Sequence, residues 1–302
     1  MKGLDPLPAG ETGFDRLLGF TIPVRHARGR ILRLGPVLDT ILSAHNYPPP
    51  IRHLLAEALV VAALIGSLLK DENSQLTMQA QTQGGIVELL VCDYRAGELR
   101  GYVRHDDDRL ANLGANPPLS ALFGQGYLAI TFDDAASGKR YQGIVPLEGT
   151  SLSEACERYF AQSEQVPTLI RSGARWDGQH CIAGGLLIQH LAEGEEGRAR
   201  LHARMEHPEW EHVAVLAGSI RHDELVDPGL SLEAMLWRLF HEEHEVRAEA
   251  LATLSRGCRC TADHYVNVLS RFPDEDRAEM RGDDGLIAVD CAFCSRNFAI
   301  AL

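Results

Sequence analysis

The chain has 302 residues, 45% of them apolar, with 29 Lys and Arg against 42 Asp and Glu, a formal net charge of −13. That much apolar material excludes a fully disordered chain. The acidic balance argues against binding nucleic acid or an anionic membrane, because phosphate neutralisation needs clustered Lys and Arg. The longest apolar stretch, residues 58–69, falls well short of the roughly 20 residues of a membrane span. Residues 1–8 lack the apolar core of a signal peptide. These features predict a cytoplasmic protein whose thiols are reduced or metal-bound rather than paired as structural disulfides.

In chain order, Ile31, Leu34, Leu38, Ile41 and Leu42 recur at helical spacing and predict a helix. Pro48, Pro49 and Pro50 break it, and a second, core helix runs from Ile51 to Leu69 on a three- and four-residue apolar repeat. Strands follow at residues 75–81, 86–91, 99–103, 127–132 and 141–147, separated by turn signals such as Gly84-Gly85 and Ser137-Gly138-Lys139. Strand-turn-strand spacing without intervening helices predicts an antiparallel sheet. Ser151 and Glu154 fit a capping box, with Pro167 stopping the helix, and residues 184–188 read as one more strand. From residue 193 to 249 there are 14 acidic and 6 basic side chains. Two helical patterns lie in that segment, residues 213–220 and the stripe Leu232, Met235, Leu236, Leu239 and Phe240. The segment reads as a thinly hydrophobic connector, with its stripe docked on the sheet of the first domain and only marginally stable. The predicted fold class is α+β: an antiparallel-sheet core domain with helices over residues 1–192, a metastable helical linker over 193–250, and a small C-terminal zinc-binding domain over 251–302.

The cysteines carry the chemistry. Cys92, Cys156 and Cys181 stand alone in apolar surroundings and read as core thiols. Cys258-Arg259-Cys260 and Cys291-Ala292-Phe293-Cys294 form two close pairs separated by thirty residues. Four thiolates presented in two pairs suit one tetrahedral Zn²⁺ per chain, with no position left open for substrate water. About 45 residues bury little core, so metal binding would supply the folding free energy of the tail. The same four thiolates are oxidisable, with Cys258 and Cys260, and Cys291 and Cys294, as local disulfide partners. Their oxidation would remove the ligand set. Arg256 and Arg259 would favour the thiolate form. The site is therefore either a structural clip or a redox switch.

Other motifs carry less. His241-Glu242-Glu243-His244-Glu245 departs from the metalloprotease helix, whose histidines are four apart, and reads as an acidic helix face. Asp106-Asp107-Asp108 reads as a solvated turn. The chain has no phosphate-binding loop ending in Lys-Ser/Thr and no Gly-x-Ser-x-Gly elbow. Residues 258–302 hold five arginines against eight acidic residues, which counts against a nucleic-acid-binding zinc ribbon. A thiol-disulfide oxidoreductase would place Cys291-Ala292-Phe293-Cys294 at the start of a helix, whereas a strand pattern follows here.

With the tail pattern Cys-x-Cys, about thirty residues, Cys-x-x-Cys, the chain resembles the redox-regulated 33-kDa heat-shock chaperones of bacteria. The resemblance extends over about residues 20–302. It includes Arg28-Gly29-Arg30, Leu34-Gly35, His45-Asn46-Tyr47-Pro48, residues 54–58, Leu99-Arg100-Gly101-Tyr102, residues 159–168 and Gly184-Gly185. Residues 133–139 and 272–276 depart from the family pattern, and neither touches a cysteine. The resemblance implies an ATP-independent holdase rather than an enzyme. Reduced, zinc-bound protein is inactive; oxidation of Cys258, Cys260, Cys291 and Cys294 to two disulfides releases zinc, unfolds the tail and loosens the linker. Surface that binds unfolding client proteins is then exposed, and the oxidised form is a homodimer.

Overall fold

The computed structural model describes residues 13–114, 117–191 and 207–302. The N-terminal residues read for a signal peptide, and the start of the linker up to residue 206, lie outside the described residues. The chain opens with strands β1 (Arg16–Ile22) and β2 (Ala27–Leu34), then helices α1 (Pro36–Leu42) and α2 (Pro49–Gly66). Strands β3 (Gln75–Thr82), β4 (Val87–Arg95) and β5 (Glu98–His105) follow, with short helices α3 (Asp107–Leu110) and α4 (Leu119–Phe123). Next come β6 (Gly126–Asp134), β7 (Lys139–Pro146), α5 (Leu152–Tyr159), β8 (Thr168–Trp176) and β9 (Cys181–His190). The remainder is α6 (Pro208–Gly218), α7 (His222–Leu225), α8 (Leu232–Phe240), β10 (Arg247–Thr253), β11 (Ser255–Arg256), α9 (Ala262–Leu269), α10 (Asp274–Met280), β12 (Ile287–Asp290) and β13 (Asn297–Ile300).

These strands make two large sheets and a hairpin. The first sheet has the order β10-β1-β2-β9-β8, the second β11-β5-β4-β3-β6-β7, and β12-β13 stand apart. Pairing is antiparallel throughout except for β11 beside β5. Helix α2 packs on both large sheets. Its first turn holds Pro49 and Pro50, where no backbone N–H is needed. Beyond it Leu, Val, Ala and Ile cover nearly every direction, the mark of a fully enclosed helix. By length and composition it passes for a membrane span, with a mean hydropathy of 1.4, yet 72% of it is buried inside the fold. Around it, Leu32, Leu34 and Leu187 of the first sheet join Leu76, Met78, Leu90, Cys92, Leu128 and Ile130 of the second in one core.

The opposite face of the first sheet is covered by α6, α7 and α8. Leu18, Phe20, Ile22, Ile31, Leu186 and Ile188 pack against Val213, Ala217, Leu225, Leu232, Met235, Leu236, Leu239 and Phe240. The predicted stripe thus docks on the sheet, and on more than a narrow seam. Arg33 points the same way, 1% exposed, and donates to the carbonyls of Leu225 (3.0 Å), Leu230 (2.7 Å) and Glu224 (3.2 Å). The Gly184-Gly185 pair allows close approach on both sides. A Cβ at Gly184 would lie 2.3 Å from the Leu225 carbonyl oxygen, and one at Gly185 2.5 Å from Val60 Cγ1 of α2.

Some predicted elements differ. Ile31 and Leu34 belong to β2 rather than to a helix. Residues 31–34 are all buried, so the strand lacks the alternation that marks a half-exposed one. Strands β1, β8 and β10 went unread; the last, Arg-Ala-Glu-Ala-Leu-Ala-Thr, has a helix-forming composition overridden by pairing with β1. At α5, Ser151 Oγ accepts from the Glu154 N–H at 3.2 Å, but the Glu154 carboxylate turns to Thr150 instead of closing the box.

Candidate metal centre

Cys258 and Cys260 follow β11, just after the chain leaves the second sheet, held there by the Gly257 N–H donating to the Leu99 carbonyl at 2.8 Å. Cys291 and Cys294 occupy the turn between β12 and β13. There the Cys291 N–H donates to the Arg296 carbonyl, and the N–H groups of Cys294 and Ser295 return to the Cys291 carbonyl. The hairpin and α9 share a small apolar cluster of Leu269, Ile287 and Ile300, flanked by Tyr265 and Phe298. So small a core cannot be the main support of the module.

The two segments bring the four sulfurs within 4.8 Å of one another. Cys258 lies 3.3 Å from Cys260 and 3.6 Å from Cys291, and Cys260 lies 3.4 Å from Cys294. A tetrahedral ion with metal–sulfur bonds near 2.3 Å spaces its sulfurs about 3.8 Å apart, whereas a disulfide needs about 2.05 Å. The donor set therefore fits a four-coordinate thiophilic metal ion. Electrostatics agree. Burial works against the Cys291 thiolate, but N–H groups of Phe293 and Cys294 and the Tyr265 hydroxyl outweigh it, bringing the thiol down to about 7. Burial pushes Cys258 and Cys260 up, Cys260 further because of its sulfur neighbours. A bound cation would favour the charged forms of Cys258 and Cys260 against that burial.

The module rests on the outer face of the second sheet. Phe293, between the cysteines of the second pair, meets Tyr102 edge-on with ring centroids 5.0 Å apart. The Arg100 guanidinium lies over the Phe293 ring, 4.0 Å from its centroid. Arg100 is fixed by Asp93 at 2.6 Å, and Asp93 accepts from Thr77 Oγ1 at 2.8 Å. Arg259, enclosed by the first pair and expected to attend the thiolates, donates to Gln75 Oε1 at 2.9 Å. Ser295 Oγ lies 3.1 Å from His45 Nδ1. Residue spacing alone gave no sign of the contacts made by Phe293, Gln75 and Asp93.

The other candidates separate from this site. Cys92, Cys156 and Cys181 are buried, and burial raises the pKa of each, that of Cys181 to about 12. His241 and His244 follow the end of α8; His241 stacks on Trp237, and neither joins a metal-capable group among the described residues. Asp106 caps α3 by accepting from the Arg109 N–H at 3.0 Å.

A family profile described as Hsp33 protein matches residues 15–301. The chain belongs to the Hsp33 family. A 33 kDa chaperonin of Caulobacter vibrioides is 39% identical over 97% of both chains. That of Ectopseudomonas mendocina is 36% identical over 90% of this chain and 87% of its own. In fold, the Hsp33 chain is similar to the crystal structure of the 33 kDa chaperonin of Thermotoga maritima, with a TM-score of 0.78 and 22% identity over 95% of each. The family and its named relatives make this an Hsp33-type chaperone, with an α+β body and a C-terminal four-cysteine cluster able to hold a metal ion.

Proposed function

We propose that the chain is a redox-regulated, ATP-independent holdase that works in the cytoplasm, captures unfolding client proteins and forms a homodimer when oxidised. The observation that supports this best is the convergence of Cys258, Cys260, Cys291 and Cys294 within 4.8 Å in a module with almost no core of its own. In this reading the four thiolates hold one Zn²⁺, which supplies the cross-link that keeps the module folded. Two molecules of peroxide take up four electrons as the sulfurs form two disulfides, and the ligand set is lost. The module over residues 251–302 then unfolds, and the linker over residues 193–250 loosens from the first sheet. Apolar side chains such as Phe20, Ile31, Leu236 and Phe240, buried between them, become available to clients. Conditional exposure keeps such a surface from causing aggregation at rest.

The test measures zinc release and suppression of client aggregation side by side, with and without peroxide. Activity that rises together with zinc loss, and stays low in reduced protein, is the expected result. Equal activity in both states would refute regulation. Equal hydrogen-exchange protection of α8 and α2 in the oxidised form would refute linker release.

A further inference from the structure

The contact between Phe293 and the second sheet has the form of a bound ligand as well as a structural joint. One aromatic side chain projects from a tight turn. Its ring meets a socket made by residues on the outer face of the second sheet. The socket is built in advance. Arg100 is held against Asp93 at 2.6 Å, and Asp93 is 3% exposed and bonded to Thr77, so the guanidinium face is fixed whether or not a ring covers it. Tyr102 supplies an edge-on aromatic partner at 5.0 Å. Val91, its antiparallel neighbour on β4, continues the same outward strip. A cation and an aromatic ring placed this way select an aromatic side chain over an aliphatic one.

We propose that the Arg100–Tyr102 socket is a binding subsite for an aromatic side chain of a non-native polypeptide, and that Phe293 occupies it as an internal substitute while the cysteine module is folded. The inference rests on the holdase reading above and adds to it a specific surface and the class of side chain it takes. The occupant follows from the interface itself. The present guest is an aromatic residue of a turn segment, and the same interface becomes free when the module leaves. Native proteins bury most of their Phe and Trp, so a preference for such rings is also a preference for unfolded chains.

The probe is a fluorescent peptide of residues 290–296 carrying C291S and C294S, with a second peptide that also carries F293A. Binding is read by anisotropy against full-length protein. Reduced, metal-loaded wild type is expected not to bind the first peptide. Oxidised wild type should bind it, and so should reduced Phe293→Ser with its metal content unchanged. The F293A peptide, or Tyr102→Ser in the oxidised protein, should weaken binding at least tenfold. Melting temperature and metal content verify that each reduced variant is folded, and Arg100→Gln provides a second lesion in the socket. Oxidised Tyr102→Ser and Arg100→Gln proteins that both bind the peptide as wild type does would overturn the proposal. So would a reduced Phe293→Ser protein that stays closed to it. Failure of oxidised wild type to suppress client aggregation would instead defeat the holdase reading, leaving the peptide result as a separate measure of the socket.

Discussion

Arg259 and Phe293, one from inside each cysteine pair, are tied to the same strip of the second sheet. Arg259 reaches Gln75 at 2.9 Å, and the Nε2 of Gln75 donates to Thr77 Oγ1 at 3.1 Å. Thr77 donates to Asp93, which holds the Arg100 that lies over Phe293. Both halves of the sulfur cluster are therefore registered on one polar network of β3, β4 and β5.

Cutting the first arm should loosen the cluster without disturbing its ligands. Gln75→Leu removes the acceptor for Arg259, a charged hydrogen bond at a part-buried site that solvent screening reduces to about 0.5–1 kcal/mol. Metal stoichiometry should stay the same, and metal loss to a chelator should quicken about two- to fivefold. An unchanged rate would show that Arg259 contributes nothing to holding the module.

Arg33 should govern the linker from the opposite side of the molecule. Arg33→Met keeps the volume but deprives the carbonyls of Glu224, Leu225 and Leu230 of their donor. Three weakened carbonyls in a partly buried turn cost about 2–4 kcal/mol. Amide exchange of residues 222–240 should accelerate by at least tenfold while α2 remains protected. Uniform acceleration of both would mean that the first sheet, rather than the docking, had been damaged.

Acid should also weaken linker docking, through His190. This residue ends β9 and is 4% exposed, with neither ring nitrogen hydrogen-bonded. His207 at the start of α6 lies 4.9 Å away, centroid to centroid. Burial lowers the His190 pKa from 6.5, and His207 and His26 lower it further, with Glu209 opposing. Undocking exposes the ring and restores the ordinary value, so the undocked state binds the extra proton. Docking is therefore at full strength above pH 6.5 and is lost as pH falls below it, by at most about 1.4 kcal/mol at pH 5.5. Glu209, bonded to Arg25, stays ionised through this window; so does Glu243, where bonds from Arg25 and His212 outweigh burial. Exchange of α6 in metal-loaded protein should quicken between pH 7.5 and 5.5, after correction for intrinsic rates, and His190→Phe should abolish the change. A response that persists in His190→Phe would assign it to another group.

The three core thiols should be silent. Cys92, Cys156 and Cys181 are buried with raised pKa values, which starves them of the reactive thiolate. A triple Ala variant should keep its metal and its response to peroxide, at a stability cost of about 1 kcal/mol per site. Loss of the peroxide response in a folded, metal-loaded triple variant would contradict this assignment.

What the sequence revealed follows from how local each signal is. Strand β3 was legible because it alternates, the strands from β4 to β7 because turn residues such as Gly84-Gly85 and Ser137-Gly138-Lys139 separate them, and α2 because its apolar repeat is long. The sulfur cluster was legible because each pair is adjacent in the chain. Strand β2 was misread as a helix because both of its faces are buried near its end, which erases its period. Strand β10 was missed because Ala and Glu favour helix until β1 provides an edge. The Phe293 socket and the Arg33 bonds join residues nearly two hundred positions apart, and no spacing rule reaches that far.

Strand β10 also determines how a loss of order in the cysteine module travels. The chain leaves α8, zips along β1 from Thr21↔Arg247 to Arg16↔Thr253, and only then crosses to the second sheet through β11. Loss of the module's tether is thus felt first at the Thr253 end, and the ladder frays from there one rung at a time rather than all rungs together. The register shift between Leu17 and Leu18 lies at this same end, so the first rungs to fray are those next to an interrupted ladder. In the holdase reading the fold thereby acts as a graded fuse. Small disturbances are spent on the first rungs, and only a complete peel frees the C-terminal end of α8, so amides near Thr253 should exchange before those near Arg247 as the module comes apart.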